Sequence, residues 1–217
     1  VNDADDAAVN ATDLSTLGGK TAGTVTVSNA VVISGTAAEV TAALVTTGTL
    51  VVAATAKATI SDADDAAIDA TALSAIGAKT SGVVTVSNAV AISGTAAEVT
   101  AALVTTDTLV VAGTAKVTIS GNPSISELNA IAAKTSGAVT ATLAADSLSN
   151  LGSLTTGAAD VITVTVNDAN DASLTAANLS ALGGKTAGVV TVSNAVVISG
   201  TTAQVTAALV TTDTLVV

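Results

Sequence analysis

The chain has 217 residues, with 17 acidic against 6 basic side chains and a net charge of −11, which argues against the basic footprint that nucleic-acid binding requires. It contains no Phe, Tyr, Trp, Met, Cys, His or Arg, so most catalytic constellations and every disulfide are excluded, and the core falls to Val, Leu, Ile and Ala. A mean hydropathy of +0.72 looks membrane-like, but Thr41, Thr46, Thr47, Gly48, Thr49 and Thr55 interrupt the uncharged run 40–56, where a spanning helix wants ~20 predominantly apolar residues.

Residues 1–52 recur at 60–111 and again at 166–217, so that Asp3 maps to Asp62 and Asp168, and Gly23 to Gly82 and Gly188. Recurrence of this kind is the signature of a solenoid, in which stacked repeats bury a continuous core. The expected organisation is one solenoid domain over 1–217, with copies at 1–59 and 60–118, divergent coils at 119–165 and a last copy at 166–217. No linker or shift of composition divides it. The sequence opens and closes in mid-repeat, finishing Thr214-Leu-Val-Val217 in an apolar coil, and seven residues like 112–118 would restore the opening register. It reads as an excerpt of a longer array or as a protomer that stacks end to end.

In chain order, the first element of each copy is an acidic turn: Asp3-Ala-Asp5-Asp6, Asp62-Ala-Asp64-Asp65 and Asp168-Ala-Asn170-Asp171. Alternate oxygen ligands on a loop suit calcium, which takes six to eight hard oxygens. The competing expectation is a solvated turn whose last Asp caps the following helix. Lys20, Lys79, Lys134 and Lys185 mark helix ends, where a cation complements the dipole. Gly23, Gly82, Gly137 and Gly188 then turn the chain into a strand. The strand motif begins at Val25, Ala58, Val84, Val117, Val139, Val164 and Val190. Its alternation of β-branched apolar and hydroxyl residues is a half-buried strand. One such strand per coil predicts about seven coils and one register of outward hydroxyls: Thr26, Thr59, Thr85, Thr118, Thr140, Thr165 and Thr191. Capping boxes follow at Thr36-Ala-Ala-Glu39, Thr95-Ala-Ala-Glu98, Ser124-Ile-Ser-Glu127 and Thr201-Thr-Ala-Gln204. Leu50-Val-Val and Leu109-Val-Val predict an extra short strand, and Pro123 a turn or a first helical turn. The expected fold is therefore an α/β solenoid of parallel strands with short return helices. An all-β right-handed solenoid is the alternative.

These Val-Thr-Val-Ser-Asn strands, Ile-Ser-Gly-Thr-Ala-Ala-Glu-Val turns and Lys-Thr-Ser-Gly junctions resemble the repeats of very large secreted bacterial proteins. The resemblance spans the whole chain and implies an extracellular or cell-surface fibre or layer. Asn29, Asn88 and Asn194, each following a strand, also offer a distant analogy to the leucine-rich repeat, where such an Asn bonds the backbone of adjacent coils.

The function expected is structural: a rod, fibre or surface layer with no reaction of its own and no resident cofactor, associating end to end without nucleic acid or membrane insertion. Asn10-Ala-Thr12 and Asn178-Leu-Ser180 match the glycosylation sequon at a frequency that chance explains. Two alternatives remain open. One is a calcium-stiffened adhesin or carbohydrate-binding module, with Asp3, Asp5, Asp6, Asp62, Asp64, Asp65, Asp168, Asn170 and Asp171 as ligands. The other is ice binding through the threonine face.

Overall fold

Alternating Val, Ile and Thr favour extended backbone, while Ala-rich segments opened by a side-chain oxygen favour short helices. The computed structural model describes residues 1–211 and 216–217; Thr214 and Leu215 of the apolar closing segment lie outside the described residues. Among the described residues the chain forms eight α-helices and fifteen short strands, paired in parallel. It is an α/β fold, and the helices exclude the all-β alternative. No helix among them is long and apolar enough to cross a membrane. The elements group into two compact bodies, residues 1–116 with 134–137 and residues 117–133 with 138–217.

The first body runs β1 (Ala8–Asn10), α1 (Ala11–Gly18), β2 (Val25–Thr26), β3 (Val32–Gly35), α2 (Ala37–Leu44), β4 (Val51–Val52), β5 (Lys57–Ile60), β6 (Ala67–Asp69), α3 (Ala70–Gly77), β7 (Val84–Val86), β8 (Ala91–Thr95), α4 (Ala96–Leu103) and β9 (Val110–Val111). A coil consists of a strand entering a helix and a strand leaving it. Equivalent strands of successive coils pair about 25 residues apart, as Ala8 beside Val32 and Val84 beside Val110. β5 departs from this rule. It pairs with the entering strand β3 on one side and with the leaving strand β7 on the other. Once per 59-residue repeat the chain thus passes from one strand row to the other. The wide motif spacing is therefore a full coil plus the step from Val51 to Ala58. The Leu-Val-Val insertions do hold strands, β4 and β9, but these are ordinary leaving strands rather than additions.

The second body runs β10 (Lys116–Ser120, its first residue in the first body), α5 (Ile125–Ala132), β11 (Val139–Thr142), α6 (Leu148–Leu151), β12 (Val161–Val166), β13 (Ser173–Thr175), α7 (Ala176–Gly183), β14 (Val190–Val192), β15 (Val197–Ser199) and α8 (Thr202–Leu209). Here β10, β11, β12 and β14 lie side by side, and β13 pairs with β15. The coils are shorter, with Val117 beside Val139 and Thr140 beside Val161.

The inward set of the strand motif is buried at Val25, Val27, Ala58, Ile60, Val84, Val86, Val117, Ile119, Val139, Ala141, Val164, Val166 and Val190, while the last inward position, Val192, is half-buried. Helices contribute Leu73, Ile76, Leu128, Ile131, Leu179 and Leu182. Burial of each large aliphatic side chain contributes about 1.5–3 kcal/mol. That packing, not intrinsic propensity, holds eight-residue helices, which are too short to persist alone. All four capping boxes form, each with both reciprocal bonds. Pro123 directly precedes the Ser124 cap of α5.

Three expectations are corrected. The seven motif strands do not share one register: Thr26 lies beside Val52, Thr59 beside Thr85, Thr85 beside Val111, Thr118 beside Thr140, Thr140 beside Val161 and Thr165 beside Thr191. Identical motifs occupy different strand rows because β5 switches rows. Second, the last Asp of each acidic turn does not cap the next helix. That cap falls four residues later, on Asn10, Asp69 and Thr175, while Asp6, Asp65 and Asp171 take left-handed backbone with φ of 63°, 62° and 63°. Third, three of the glycines after the lysines, Gly82, Gly137 and Gly188, serve a close approach between coils rather than a left-handed turn, whereas Gly23 meets nothing closer than its neighbour Thr21 Oγ1 at 3.5 Å. A methyl group at Gly82 would overlap the Ala56 carbonyl oxygen, and one at Gly188 that of Ile162.

Candidate functional site

Each carboxylate of the acidic turn in the second copy is directed at another coil. Asp62 Oδ2 accepts the Ala37 N–H at 2.7 Å, which is the first amide of α2 in the preceding coil. Asp64 Oδ1 accepts the Ala89 N–H of the following coil at 2.8 Å. Asp65 Oδ1 meets Lys116 Nζ at 2.6 Å, two coils on. The carbonyl of Asp62 accepts from Asn88 Nδ2 at 2.6 Å, the backbone bond that the Asn positions implied.

The other copies repeat parts of this arrangement. Asp5 and Asn170 accept the Ala30 and Ala195 N–H groups at 2.9 and 3.1 Å. Asn29 and Asn194 donate to the carbonyls of Asp3 and Asp168. Asp6 pairs with Lys57 at 2.6 Å. Asp168 Oδ2 accepts the Leu148 N–H, the first amide of α6, at 2.7 Å. Helix amides at an N-terminus lack intrahelical partners, so these carboxylates cap helices from the adjacent coil. The first amide of α4, Ala96 N–H, has no such carboxylate among the described residues, and the sequence carries Gly121 where the repeat elsewhere carries Asp62.

A second recurrent device was not legible in the sequence. In Thr80-Ser-Gly82, Thr135-Ser-Gly137 and Thr186-Ala-Gly188, the hydroxyl accepts the glycine N–H two residues on and bonds the backbone of the preceding coil. Thr135 Oγ1 donates to the Ala115 carbonyl at 2.5 Å. Thr186 is nearly fully buried; its Oγ1 accepts from Ile162 N–H at 2.7 Å and donates to the Ile162 carbonyl at 2.8 Å. The hydroxyl links two coils while the adjacent glycine lets their backbones touch.

No protein family, curated protein or solved structure matches this chain.

Hydroxyls of the ladder do point outward, Thr26, Thr85, Thr118 and Thr140 being exposed and Thr59, Thr165 and Thr191 half-buried. Exposed Val52, Val111 and Val161 stand beside them in register. The surface is thus a patchwork of threonine pairs and valines rather than a seven-rank array.

Two carboxylates are held below their ordinary range. The Thr71 hydroxyl, then its N–H, stabilises ionised Asp69, and the Ser124 hydroxyl and N–H do the same for Glu127. The hydrogen bond and charge of Asp65 raise Lys116. Depressed carboxylates contribute stability above their unfolded pKa, and this is lost as pH falls through the folded value. The raised lysine contributes below its unfolded pKa and loses that only as pH climbs through the raised value. The melting temperature is therefore expected to fall on acidification below the ordinary carboxylate range. Asp69→Asn, which installs the cap already present at Asn10, should flatten part of that slope in thermal melts between about pH 5 and pH 2. An unchanged slope would remove Asp69 from the explanation.

Proposed function

We propose that this chain is a structural repeat segment of an extracellular or cell-surface protein, a solenoid whose task is to persist as a rod, fibre or layer rather than to catalyse a reaction. The observation carrying this reading is the direction of the recurrent polar side chains. Asp5, Asp64 and Asn170, Asn29, Asn88 and Asn194, and the threonine clamps all engage backbone of an adjacent coil. A binding face would aim its repeated groups at solvent; these Asp, Asn and clamp Thr side chains tie coil to coil. Such ties add to a nearest-neighbour stability that grows with the number of coils. The net negative charge keeps such a surface from nucleic acid.

The test is antibody labelling of the source organism, combined with electron microscopy of the labelled structure. Label on intact cells, over a continuous layer or fibre, is the expected result. Label that appears only after permeabilisation overturns the reading.

A second reading, the calcium-stiffened adhesin, is favoured by the three-fold recurrence of the acidic turns. Asp62, Asp64 and Asp65 each keep one carboxylate oxygen outside the bonds described above, available to a hard cation. Because their other oxygens already hold amides and a lysine, millimolar calcium is expected to leave the melting temperature within a few degrees of its value in chelator. A rise of many degrees, abolished by changing Asp62, Asp64 and Asp65 to Asn, would establish the metal site instead. The patchwork threonine surface likewise leads us to expect no thermal hysteresis from ice binding.

A further inference from the structure

Two leucines occupy backbone that leucine ordinarily avoids. Leu50 and Leu109, equivalent positions of successive repeats, have φ of 51° and 49°, the left-handed region in which a bulky side chain is an outlier. Packing does not explain the choice. Each leucine is 39% exposed, and the valines two residues on, Val52 and Val111, are 50% and 53% exposed. Strain kept without full burial points to a contact outside the chain.

Each leucine walls a groove that lies within the first body. Leu44, Val45 and Val52 line it beside Leu50; Leu103, Val104 and Val111 line its counterpart beside Leu109. β4 is the last strand of a two-stranded sheet and β9 of a five-stranded one, so no further strand among the described residues covers either. Lys79 and Lys134, from the Lys-Thr-Ser-Gly junctions of the following coils, complete the linings. The grooves measure about 310 and 230 Å³, the small end of ligand pockets.

The lysines set the chemistry of the occupant. Lys57 and Lys116 pair with Asp6 and Asp65, and Lys185 donates to the Gly152 carbonyl. Lys79 and Lys134 are exposed and have no acceptor among the described residues. An apolar trough lined by one free cation complements an aliphatic chain with an anionic head. An added peptide strand fits poorly, because β4 and β9 offer edges of only two residues. A bilayer surface fits poorly too, since the net charge of −11 repels anionic lipid.

We propose that the Leu50 and Leu109 grooves each take the alkyl chain of a free single-chain fatty acid, with its carboxylate on Lys79 or Lys134. This goes beyond the structural reading and does not depend on it. Thr24 and Gly48 in the first repeat correspond to Val83 and Asp107 in the second. The first groove should therefore favour the anion, and the second an uncharged chain.

Titration of the isotope-labelled chain with octanoate, hexanoate and octanol, followed by NMR, tests it. Octanoate below its micelle-forming concentration should shift the amides of 44–52 and 103–111 saturably, with tighter binding at the first segment. Affinity should fall about fourfold for each methylene removed. Lys79→Gln should cancel the preference for octanoate over octanol in the first groove alone. Leu50→Asn removes the wall with a residue that accepts left-handed backbone, and Val52→Thr keeps the shape of a side chain already in water, so the test survives if the turn loosens. Both should weaken octanoate at the first groove at least about fourfold, with the second groove as internal control. Shifts that do not saturate or that spread over the whole surface, equal affinity for hexanoate and octanoate, or octanoate binding unchanged by all three substitutions would overturn the proposal. The chain should stay in solution when phosphatidylglycerol vesicles are pelleted; co-sedimentation would overturn the assignment to a free ligand. Surface labelling of cells is independent of these outcomes, so the grooves can fail while the structural reading stands.

Discussion

Val86→Asp should unfold the coils around β7 or prevent them from forming, whereas Thr85→Asp, one residue away, should change stability by about 1 kcal/mol or less. Val86 is 4% exposed and pairs with Ile60, itself fully buried. A carboxylate placed there has neither water nor a cation, since Lys57 and Lys116 already pair with Asp6 and Asp65. The expected cost is on the order of 4–5 kcal/mol, among the largest that single substitutions produce. Thr85 points to solvent from the other side of the same strand. Chemical denaturation of both variants measures the difference. Equal effects would show that the inward and outward assignment of the strand motif is wrong.

Gly82→Ala is expected to destabilise by about 3 kcal/mol despite adding only one methyl group. That methyl would overlap the carbonyl oxygen of Ala56 and crowd Lys57 N at 2.9 Å, both backbone atoms of the preceding coil. Backbone cannot step aside as a flexible side chain can. The coils would have to separate locally, breaking the Ser81 N–H to Ala54 carbonyl bond of 2.8 Å and the Thr80 clamp. Gly113→Ala provides the contrast, because nothing lies within 4 Å of its added carbon. There the reduced entropy of the unfolded chain should leave stability unchanged or raise it by about 0.5 kcal/mol. Similar losses at both positions would mean that the glycines matter for conformational freedom rather than for contact.

These contrasts mark what sequence alone makes legible. The alternation in Val84-Thr-Val86 reports directly which side chains are buried, because a strand has a period of two. The four capping boxes are equally plain, since both partners lie within one turn. Asn10 and Asp69 are hard to recognise as caps because each accepts from a residue only two positions on, and the acidic triplets upstream offer a competing cap. The reach of Asp62 to Ala37, 25 residues back, and of Lys116 to Asp65, 51 residues back, has no local pattern at all. Those pairs exist only once the coils are stacked. Row switching at β5 is hidden for the same reason: its Ala-Thr-Ile-Ser motif is the same whether its neighbour enters a helix or leaves one. Asn29, Asn88 and Asn194 are the instructive middle case. Their partner type, an adjacent backbone carbonyl, followed from chemistry, while its identity needed the stacking.

Stacking by long-range capping is the central claim, and amide hydrogen exchange followed by NMR measures it at single residues. The first amides of α2 and α4, Ala37 and Ala96, occupy equivalent places in the repeat, but only Ala37 is bonded to a carboxylate. A first helical amide without such a partner exchanges as an exposed group. Ala37 is expected to exchange at least about tenfold more slowly than Ala96, and Asp62→Ala should abolish that difference while leaving the Ala89 amide, held by Asp64, protected. Equal exchange at Ala37 and Ala96 in the unmodified chain would contradict the account.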